Sequence, residues 1–232
     1  MEACIITGAS SGIGKAIATR LLQRGMTVFG VSREPRKAHM EHPNYEPMAL
    51  DLSDIHAIKG VAQEILSRER SIKILINNAG VGAFGPHDTL DANEIQNIVM
   101  VNLVAPMVLT RHLLGRLRAK KGHVIFIASV TALGPTPMGA VYGAAKAGIR
   151  HFARSLFEEN RKAGLKVHTI LPDITATPFF SHLSFGPALD EHRAYLLPED
   201  VADAVEYALG ARDAVVVQEI LLRPQIFRLE RR

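Results

Sequence analysis

The sequence predicts an α/β fold in which helices cover both faces of a seven-stranded, doubly wound parallel sheet. Short apolar runs rich in β-branched residues alternate with longer segments of helical period, which is the pattern of consecutive βαβ units. A glycine-rich turn separates the first apolar run from the first helical segment. The chain has 232 residues, of which 47% are hydrophobic, and α/β domains of this size are commonly undivided. We therefore expect residues 1–232 to form one domain.

The predicted elements follow one another without a linker, a repeat or a low-complexity tract. Strands are predicted at Ala3–Thr7, Thr27–Val31, Tyr45–Leu50, Lys73–Asn77, His123–Ala128, Lys166–Leu171 and Ala214–Leu221. Helices are predicted at Gly12–Arg24, Asp54–Arg68, Asp91–Leu114, Met138–Ala163 and Pro198–Leu209. The segment Thr175–Leu197 has no clear period and contains phenylalanines that are costly to leave in water. Long irregular loops inside compact domains are often functional, so we interpret this segment as a lid over a substrate site, with a plain surface loop as the alternative.

The composition argues against a secreted disulfide protein, a membrane protein, a metal site and a nucleic-acid-binding protein. The single cysteine, Cys4, has no partner for an internal disulfide, and no Cys/His cluster has the spacing of zinc ligands, which points to the reducing cytoplasm. The chain does not start like a signal peptide, and its longest apolar stretch, Ile98–Leu109, is too short to cross a bilayer. The 27 basic and 23 acidic residues are mostly scattered, which favours a solvated surface.

The glycine-rich turn Thr7–Gly14 reads Thr-Gly-Ala-Ser-Ser-Gly-Ile-Gly and lies between the first strand and the first helix. Gly8 allows a tight turn, Gly12 allows a pyrophosphate to approach the backbone, and Gly14 allows the helix to pack closely on the strand. The N-terminus of the helix adds unpaired N–H groups and the positive end of the helix dipole. The turn therefore predicts a Rossmann-type dinucleotide site at Gly8, Ser10, Ser11, Gly12, Ile13 and Gly14.

The end of the second strand predicts which dinucleotide binds. An acidic residue at this place would accept hydrogen bonds from the ribose 2′-hydroxyl of NAD(H), but the chain has Val31-Ser32-Arg33. Ser32 can donate a hydrogen bond to a 2′-phosphate, and the planar guanidinium of Arg33 can pair with it. We therefore expect NADP(H) rather than NAD(H), and the alternative is that Arg33 is an ordinary surface residue.

With these and further motifs, the sequence closely resembles the short-chain dehydrogenase/reductase family in its small single-domain branch. The resemblance covers nearly the whole chain and keeps the order of the motifs. Thr7–Gly14 matches the glycine turn, Asp51-Leu52 the acidic residue after the third strand, and Asn77-Asn78-Ala79-Gly80 the motif that ends the fourth strand. Asn102, Ser129 and Tyr142-Gly-Ala-Ala-Lys146 match the catalytic tetrad.

The resemblance implies a role for each matched position. Residues that would contact the cofactor are Asp51, Leu52, Asn78, Ala79, Gly80, Tyr142, Lys146, Thr175 and Thr177. It also implies that Lys146 binds the nicotinamide ribose and that Asn102 distorts its helix and holds a water in a proton relay. Two positions depart from the family pattern: Asp173 replaces a glycine, and Ser11 stands where many NADP(H)-dependent members carry a basic residue.

The residues themselves also predict proton chemistry. Tyr142 and Lys146 are four residues apart on a predicted helix, so their side chains share a face. A lysine beside a phenol lowers the tyrosine pKa, and such a tyrosine can exchange a proton with a carbonyl or alcohol oxygen. Ser129 ends the fifth strand, where ligands bind in open α/β sheets, and its hydroxyl can orient the substrate oxygen. We expect interconversion of a carbonyl and an alcohol with NADP(H); an NADPH-binding sensor or scaffold with little turnover is the alternative.

Apolar residues predict the polarity of the substrate and the formation of a homo-oligomer. Leu133, Phe179 and Phe180 indicate an apolar pocket for a small hydrophobic ketone, aldehyde or dione, while a small hydroxy acid or amino alcohol stays open as a substrate. The helix Asp91–Leu114 is apolar on nearly all sides, and such a helix needs cover on both faces. Because one sheet covers one face, we expect a homodimer or homotetramer, as the resemblance also implies.

Overall fold

The computed structural model describes residues 2–69 and 71–231. Seven parallel strands form the main sheet: β1 Ala3–Thr7, β2 Thr27–Ser32, β3 Tyr45–Ala49, β4 Ile72–Asn77, β5 His123–Ile127, β6 Lys166–Pro172 and β8 Glu219–Leu222. Two short strands, β7 Phe185–Pro187 and β9 Leu229–Arg231, form a separate antiparallel pair. The order of the main sheet is β3-β2-β1-β4-β5-β6-β8, so the winding reverses between β1 and β4. In sheets of this kind the reversal opens a ligand crevice at the carboxyl ends of the strands.

Helices cover both faces of the sheet, as the sequence predicts. They are α1 Gly12–Gln23, α2 Ile55–Arg68, α3 Ala92–Val99, α4 Ala105–Ala119, α5 Ala140–Asn160 and α6 Pro198–Gly210. Ile58 of α2, Leu109 of α4 and Ile149 of α5 are buried in the core on one face. Ile17 of α1 and Val201 of α6 are buried in the core on the other face. The doubly wound α/β prediction is therefore confirmed.

The central strands are buried on both faces, so each reads as an unbroken apolar run. Every residue of β1 and of β5 is buried, and six of the seven predicted strands agree with the structure to within one residue at each end. The seventh prediction, Ala214–Leu221, is wrong at its start. The strand begins at Glu219, because pairing with β6 starts there, and the N–H of Val215 instead closes a turn onto the carbonyl of Arg212.

The predicted helix Asp91–Leu114 is interrupted and also continues further than expected. A π-helical turn at Met100–Val104 separates α3 from α4, and α4 ends at Ala119. Asn102 lies in this turn, and its Nδ2 donates to the carbonyl oxygen of Ile98 at 2.8 Å. A regular α-helix would use the main-chain N–H of Asn102 for that carbonyl. The helix distortion that the family resemblance implies at this asparagine is therefore present.

The stretch Ala92–Ala119 is long and apolar enough to cross a membrane by length and composition alone. Within the fold, however, Leu109, Leu113 and Leu117 of this stretch are buried in the core beside the sheet. That is the position of a core helix.

The segment Thr175–Leu197 is more regular than the sequence predicts. It contains the 3₁₀ turns Pro178–Phe180 and His192–Ala194 as well as β7. Strand β7 pairs with β9 near the end of the chain, and the N–H of Ile226 donates to the carbonyl of Arg193 at 2.9 Å. The C-terminal residues therefore hold this segment in place, which the sequence did not reveal.

Candidate active site

A cleft of about 1990 Å³ runs along the carboxyl ends of the strands, from the end of β2 to the segment that follows β6. Most predicted site residues line it: Gly8, Ser10, Ser11, Gly12, Ile13, Ser32, Arg33, Asp51, Leu52, Asn78, Ala79, Gly80, Ser129, Leu133, Tyr142, Lys146, Thr175, Thr177, Phe179 and Phe180. The other two, Gly14 and Asn102, pack behind the lining residues Gly8 and Gly80. The structure thus brings the predicted cofactor, catalytic and substrate positions into one cleft.

The glycine turn has the backbone shape that its sequence predicts. Gly8 and Gly12 have φ values of 69° and 50°, in the left-handed region that favours glycine. A Cβ at Gly14 would lie 2.2 Å from the carbonyl oxygen of Gly8, so only glycine lets α1 pack this closely. A Cβ at Gly12 would lie 3.0 Å from Cγ2 of Thr177. Gly12 therefore also lets the segment after β6 close onto the turn, beside the N-terminus of α1.

Thr7 joins the glycine turn to the end of β4. Its Oγ1 accepts hydrogen bonds from the N–H groups of Asn78 and Ala79 at 3.0 and 3.1 Å. In return, Nδ2 of Asn78 donates to the carbonyl oxygen of Thr7 at 2.9 Å. Asn78 thus links the ends of β1 and β4. Thr7 was not predicted as a site residue, although it is the first residue of the recognised motif.

The β2 end of the cleft offers polar groups without protein partners. Oγ of Ser32 is buried and has no hydrogen-bond partner in the described chain. The exposed side chain of Arg33 makes no ion pair with any described residue, but its charge helps to lower the pKa of Asp51. The main cause of that lowered pKa is hydrogen bonding, since the Asp51 carboxylate accepts from both N–H and Oγ of Ser53. Ser32 Oγ and the Arg33 guanidinium therefore have hydrogen-bonding capacity that no described residue uses.

Three predicted site residues lie close together after β5 and at the start of α5. Ser129 follows β5, and Tyr142 and Lys146 lie in the first two turns of α5. The hydroxyl of Ser129 lies near that of Tyr142 and acts to lower the Tyr142 pKa, while Oγ of Ser129 accepts a hydrogen bond from the N–H of Thr131 at 3.2 Å. Nζ of Lys146 donates to the carbonyl oxygen of Ile127 at 3.0 Å and lies 5.6 Å from the centre of the Tyr142 ring. The spacing of four residues places both side chains on one face of α5, as predicted. The ammonium group of Lys146 lies near the ring of Tyr142, and its hydrogen bond to Ile127 holds it against β5.

Burial controls the proton affinities of this group. Burial raises the pKa of Tyr142 to about 12, although the neighbouring Ser129 hydroxyl acts in the opposite direction. It lowers the pKa of Lys146 to about 8. The expectation of a lowered Tyr142 pKa is therefore wrong for the protein alone, because burial dominates. The sequence shows which side chains share a helix face and not how deeply they are buried.

Asn102 lies close to Lys146. Its Nδ2 donates to the carbonyl oxygens of Ile98 and Val81, both at 2.8 Å, whereas its buried Oδ1 has no partner. A Cβ built at Gly80 would lie 2.8 Å from this Oδ1 and 3.5 Å from Nζ of Lys146. The two side chains therefore face the same small space beside Gly80, and Oδ1 is an acceptor that a water or cofactor hydroxyl can satisfy.

Aromatic residues form the wall of the cleft around Tyr142. Tyr142 packs against Phe84 and Phe179 at centroid distances of 5.3 and 5.9 Å, and Phe180 packs against Phe179 at 5.2 Å. Leu133 lines the same cleft. Four further residues line the cleft without having been predicted: Phe84, which follows the β4 motif, and the C-terminal residues Phe227, Leu229 and Arg231. The position of the C-terminal residues depends on the pairing of β9 with β7, and no local sequence pattern indicates that pairing.

Asp173, which replaces the family glycine, fits its position. Asp173 has no positive φ, so the backbone here does not require a glycine. The carboxylate accepts a hydrogen bond from the N–H of Ile174 at 2.8 Å, and its other oxygen lies 3.9 Å from Nε of Arg223. The aspartate thus contacts the start of the C-terminal tail.

The fold and the cleft define a member of the dinucleotide-dependent oxidoreductases. The short chain dehydrogenase family model matches residues 2–185. An uncharacterized oxidoreductase of Staphylococcus epidermidis is 32% identical over 228 residues, covering 96% of this chain and 97% of that protein. The chain therefore belongs to the short-chain dehydrogenase/reductase family, as its motifs predict.

Solved structures agree with this assignment. A metagenomic short-chain oxidoreductase in complex with NADP is 31% identical and matches with a TM-score of 0.81 over 97% of both chains. An alcohol dehydrogenase from the archaeon Thermococcus sibiricus, complexed with 5-hydroxy-NADP, is 25% identical and matches with a TM-score of 0.88 over 98% of both chains. Family and fold are thus supported over nearly the whole length.

Proposed function

We propose that this protein is an NADP(H)-dependent oxidoreductase that interconverts a carbonyl group and an alcohol. The observation that carries the proposal is the grouping of Ser129, Tyr142 and Lys146 on one wall of the cleft, with Asn102 behind them. A sensor or scaffold that only bound a dinucleotide would need the glycine turn, but not a buried tyrosine and lysine beside an apolar pocket.

Three side chains of the cleft have separate roles in the proposed proton transfer. A bound nicotinamide supplies the hydride to the carbonyl carbon, or takes it from the alcohol carbon. Tyr142 is protonated at neutral pH because burial raises its pKa, so its phenol can donate the proton to the carbonyl oxygen. Ser129 contacts the phenol and orients the same oxygen. The positive charge of Lys146 near the ring stabilises the phenolate that the proton transfer leaves.

The β2 end of the cleft supports NADP(H) as the cofactor. Oγ of Ser32 is an unpaired buried polar atom, and such atoms normally find a partner. Arg33 adds an unpaired guanidinium, which can bind a 2′-phosphate through two hydrogen bonds. Two of the matched structures carry NADP or a derivative of it. Asp51, the nearby carboxylate, is already engaged with Ser53.

The aromatic wall supports a largely apolar substrate. Phe84, Phe179 and Phe180 enclose the approach to Tyr142, and burying an apolar group against such rings is favourable. The substrates that fit this wall are small hydrophobic ketones, aldehydes or diones, and the corresponding alcohols.

We also propose that the enzyme works in the cytoplasm as a homo-oligomer without a structural metal. Its one thiol, Cys4, is buried and free, which fits a reducing compartment. Among the described residues, no group of three or more His, Cys, Asp or Glu side chains could hold a metal ion. The outward face of α4 supplies the expected subunit contact.

Replacing Tyr142 with phenylalanine tests the proposal. The change removes the hydroxyl and keeps the ring that packs against Phe84, so turnover of a ketone with NADPH should fall by about 10²-fold or more while NADPH binding is nearly unchanged. Turnover is followed by NADPH absorbance and binding by NADPH fluorescence. Tyr207→Phe is the matched control, because Tyr207 lies on α6 and is 70% exposed. Full activity of Tyr142→Phe would contradict the mechanism.

A further inference from the structure

The C-terminal strand β9 presents alternate residues to the cleft. Leu229 and Arg231 line the cleft, whereas Glu230 between them does not. In the antiparallel pair, Arg231 lies directly opposite Phe185, and residues in this relation project from the same face of a sheet. The ring of Phe185 packs against Phe84 at 5.1 Å inside the cleft. The side chain of Arg231 therefore projects from the face that covers the substrate wall.

Arg231 differs from the neighbouring arginines of the tail because its charge has no acidic partner. Nη2 of Arg228 lies 3.1 Å from Oδ2 of Asp190, and Nε of Arg223 lies 3.9 Å from Oδ2 of Asp173. Within residues 2–69 and 71–231, no carboxylate forms an ion pair with Arg231. A guanidinium is always charged and has five hydrogen-bond donors, so this side chain is available to an anion in the cleft.

Two ring contacts lead from Tyr142 to the residue that lies opposite Arg231. The ring of Phe84 lies 5.3 Å from that of Tyr142 and 5.1 Å from that of Phe185, and Phe185 is the residue that pairs with Arg231. The wall between the tyrosine and the arginine is therefore aromatic. A ligand that reaches both has a reactive oxygen at one end, an apolar middle and a negative charge at the other end.

We propose that Arg231 is a specificity-determining residue that binds a carboxylate at the far end of the substrate. The preferred substrates are then keto acids, and the matching hydroxy acids, with an apolar body between the reactive carbon and the acid group. This inference rests on the proposed oxidoreductase function and narrows its substrate class. Arginine binds a carboxylate with two parallel hydrogen bonds, and the β7–β9 ladder fixes the backbone from which this arginine projects.

The test compares acids with their own esters. Straight-chain methyl ketones that end in a carboxylate, each paired with its methyl ester, are reduced with saturating NADPH by the wild type and by Arg231→Gln. The wild type should favour the acids, most strongly at one chain length. In Arg231→Gln, kcat/KM for the acids should fall by about tenfold or more, chiefly through KM, while the esters change little. Arg231→Lys should keep part of the acid preference.

Arg228→Gln is the matched control, because it makes the same change in net charge on a side chain that does not line the cleft. It should leave the ratio of acid to ester near that of the wild type. A readout that needs no turnover is calorimetric binding of the best keto acid to the NADPH complex of Tyr142→Phe. Adding Arg231→Gln to that variant should weaken this binding by a similar factor.

Three results would overturn the inference: a wild type without acid preference, an equal loss for acids and esters, or a loss of NADPH affinity in Arg231→Gln. An equal loss would mean that Arg231 only holds β7 in place, and lost NADPH affinity would mean that it contacts the cofactor. Failure of the proposed function is distinguishable. If Tyr142→Phe remained fully active while Arg231→Gln selectively weakened the acids, the carboxylate site would stand and the tyrosine mechanism would fall.

Discussion

Arg33 extends from the end of β2 into the cleft without an ion pair to any described carboxylate. We predict that Arg33→Ala raises the KM for NADPH by about tenfold or more, because a charge-assisted contact to a 2′-phosphate is lost. The KM for NADH should change little, since NADH has no phosphate at that position. The measurement is steady-state kinetics with both cofactors and one ketone.

Arg36→Ala is the control for this change, because Arg36 is a nearby exposed arginine that does not line the cleft. It should leave both KM values close to those of the wild type. If the wild type prefers NADH, or if Arg33→Ala weakens both cofactors equally, the assignment of the 2′-phosphate site is wrong.

The predicted site residues that lie close together share features that are visible in a sequence. Tyr142 and Lys146 are one helical turn apart, and the glycines of Thr7–Gly14 have roles set by backbone shape. Depth of burial is not visible in that way. It reverses the expected pKa change of Tyr142, and it depends on Phe84 and Phe179, which come from distant parts of the chain.

At the scale of the elements, a buried histidine pair links β5 and β6 near their amino ends, away from the cleft. Nδ1 of His123 lies 3.0 Å from Nε2 of His168, and Nδ1 of His168 lies 2.7 Å from the carbonyl oxygen of Val217. Both rings are neutral in this arrangement if His168 donates to the carbonyl and accepts from His123. Burial, with the nearby charge of Lys166, lowers the pKa of His123 to about 3 and that of His168 to about 4.

This pair predicts a loss of stability in mild acid. Unfolded histidine has a pKa of about 6.5, so the unfolded chain takes up protons at a higher pH than the folded chain does. The contribution to stability is complete above pH ~6.5 and falls as the pH drops toward ~4. The free energy of unfolding, measured by urea denaturation across this range, should fall more steeply with decreasing pH in the wild type than in His123→Gln. The difference in slope should correspond to about one additional proton taken up on unfolding.

His56→Gln is the control, because His56 is exposed on α2. Its unfolding free energy should keep the pH dependence of the wild type. If His123→Gln kept that dependence as well, the buried pair would not be the source of the acid sensitivity.

Elements that are buried on both faces are predictable from sequence, and elements that depend on a distant partner are not. Strands β1 and β5 are apolar throughout, so their bounds follow from composition. Strand β9 is short, charged and exposed, and only its pairing with β7 makes it a strand. A distortion of the helix at Asn102 was expected from the family resemblance and not from the hydrophobic period; the structure has it as the π-helical turn Met100–Val104.

For the whole molecule, the doubly wound sheet buries apolar surface on both faces. Among the described residues, one face of the helical stretch around α4 is left only partly covered. Val104, the last residue of the π-helical turn before α4, is half-buried and does not belong to the described core clusters, while Met107 and Val108 of α4 pack only partly against the core. The core-facing residues Leu109 and Leu113 lie on the other side of the helix. Partly exposed apolar side chains on adjacent turns are typical of a subunit interface.

We therefore predict that sedimentation velocity shows a dimer or tetramer, and that Val104→Glu shifts the population to smaller species. The added carboxylate would be buried without a partner at the interface, and such a charge is costly. Gln63→Glu adds the same charge on the exposed face of α2 and should leave the assembly intact. A wild type that sediments only as a monomer would show that the apolar face of α4 has no subunit partner. Because the cleft lies at the strand ends, a dissociated Val104→Glu variant should still bind NADPH.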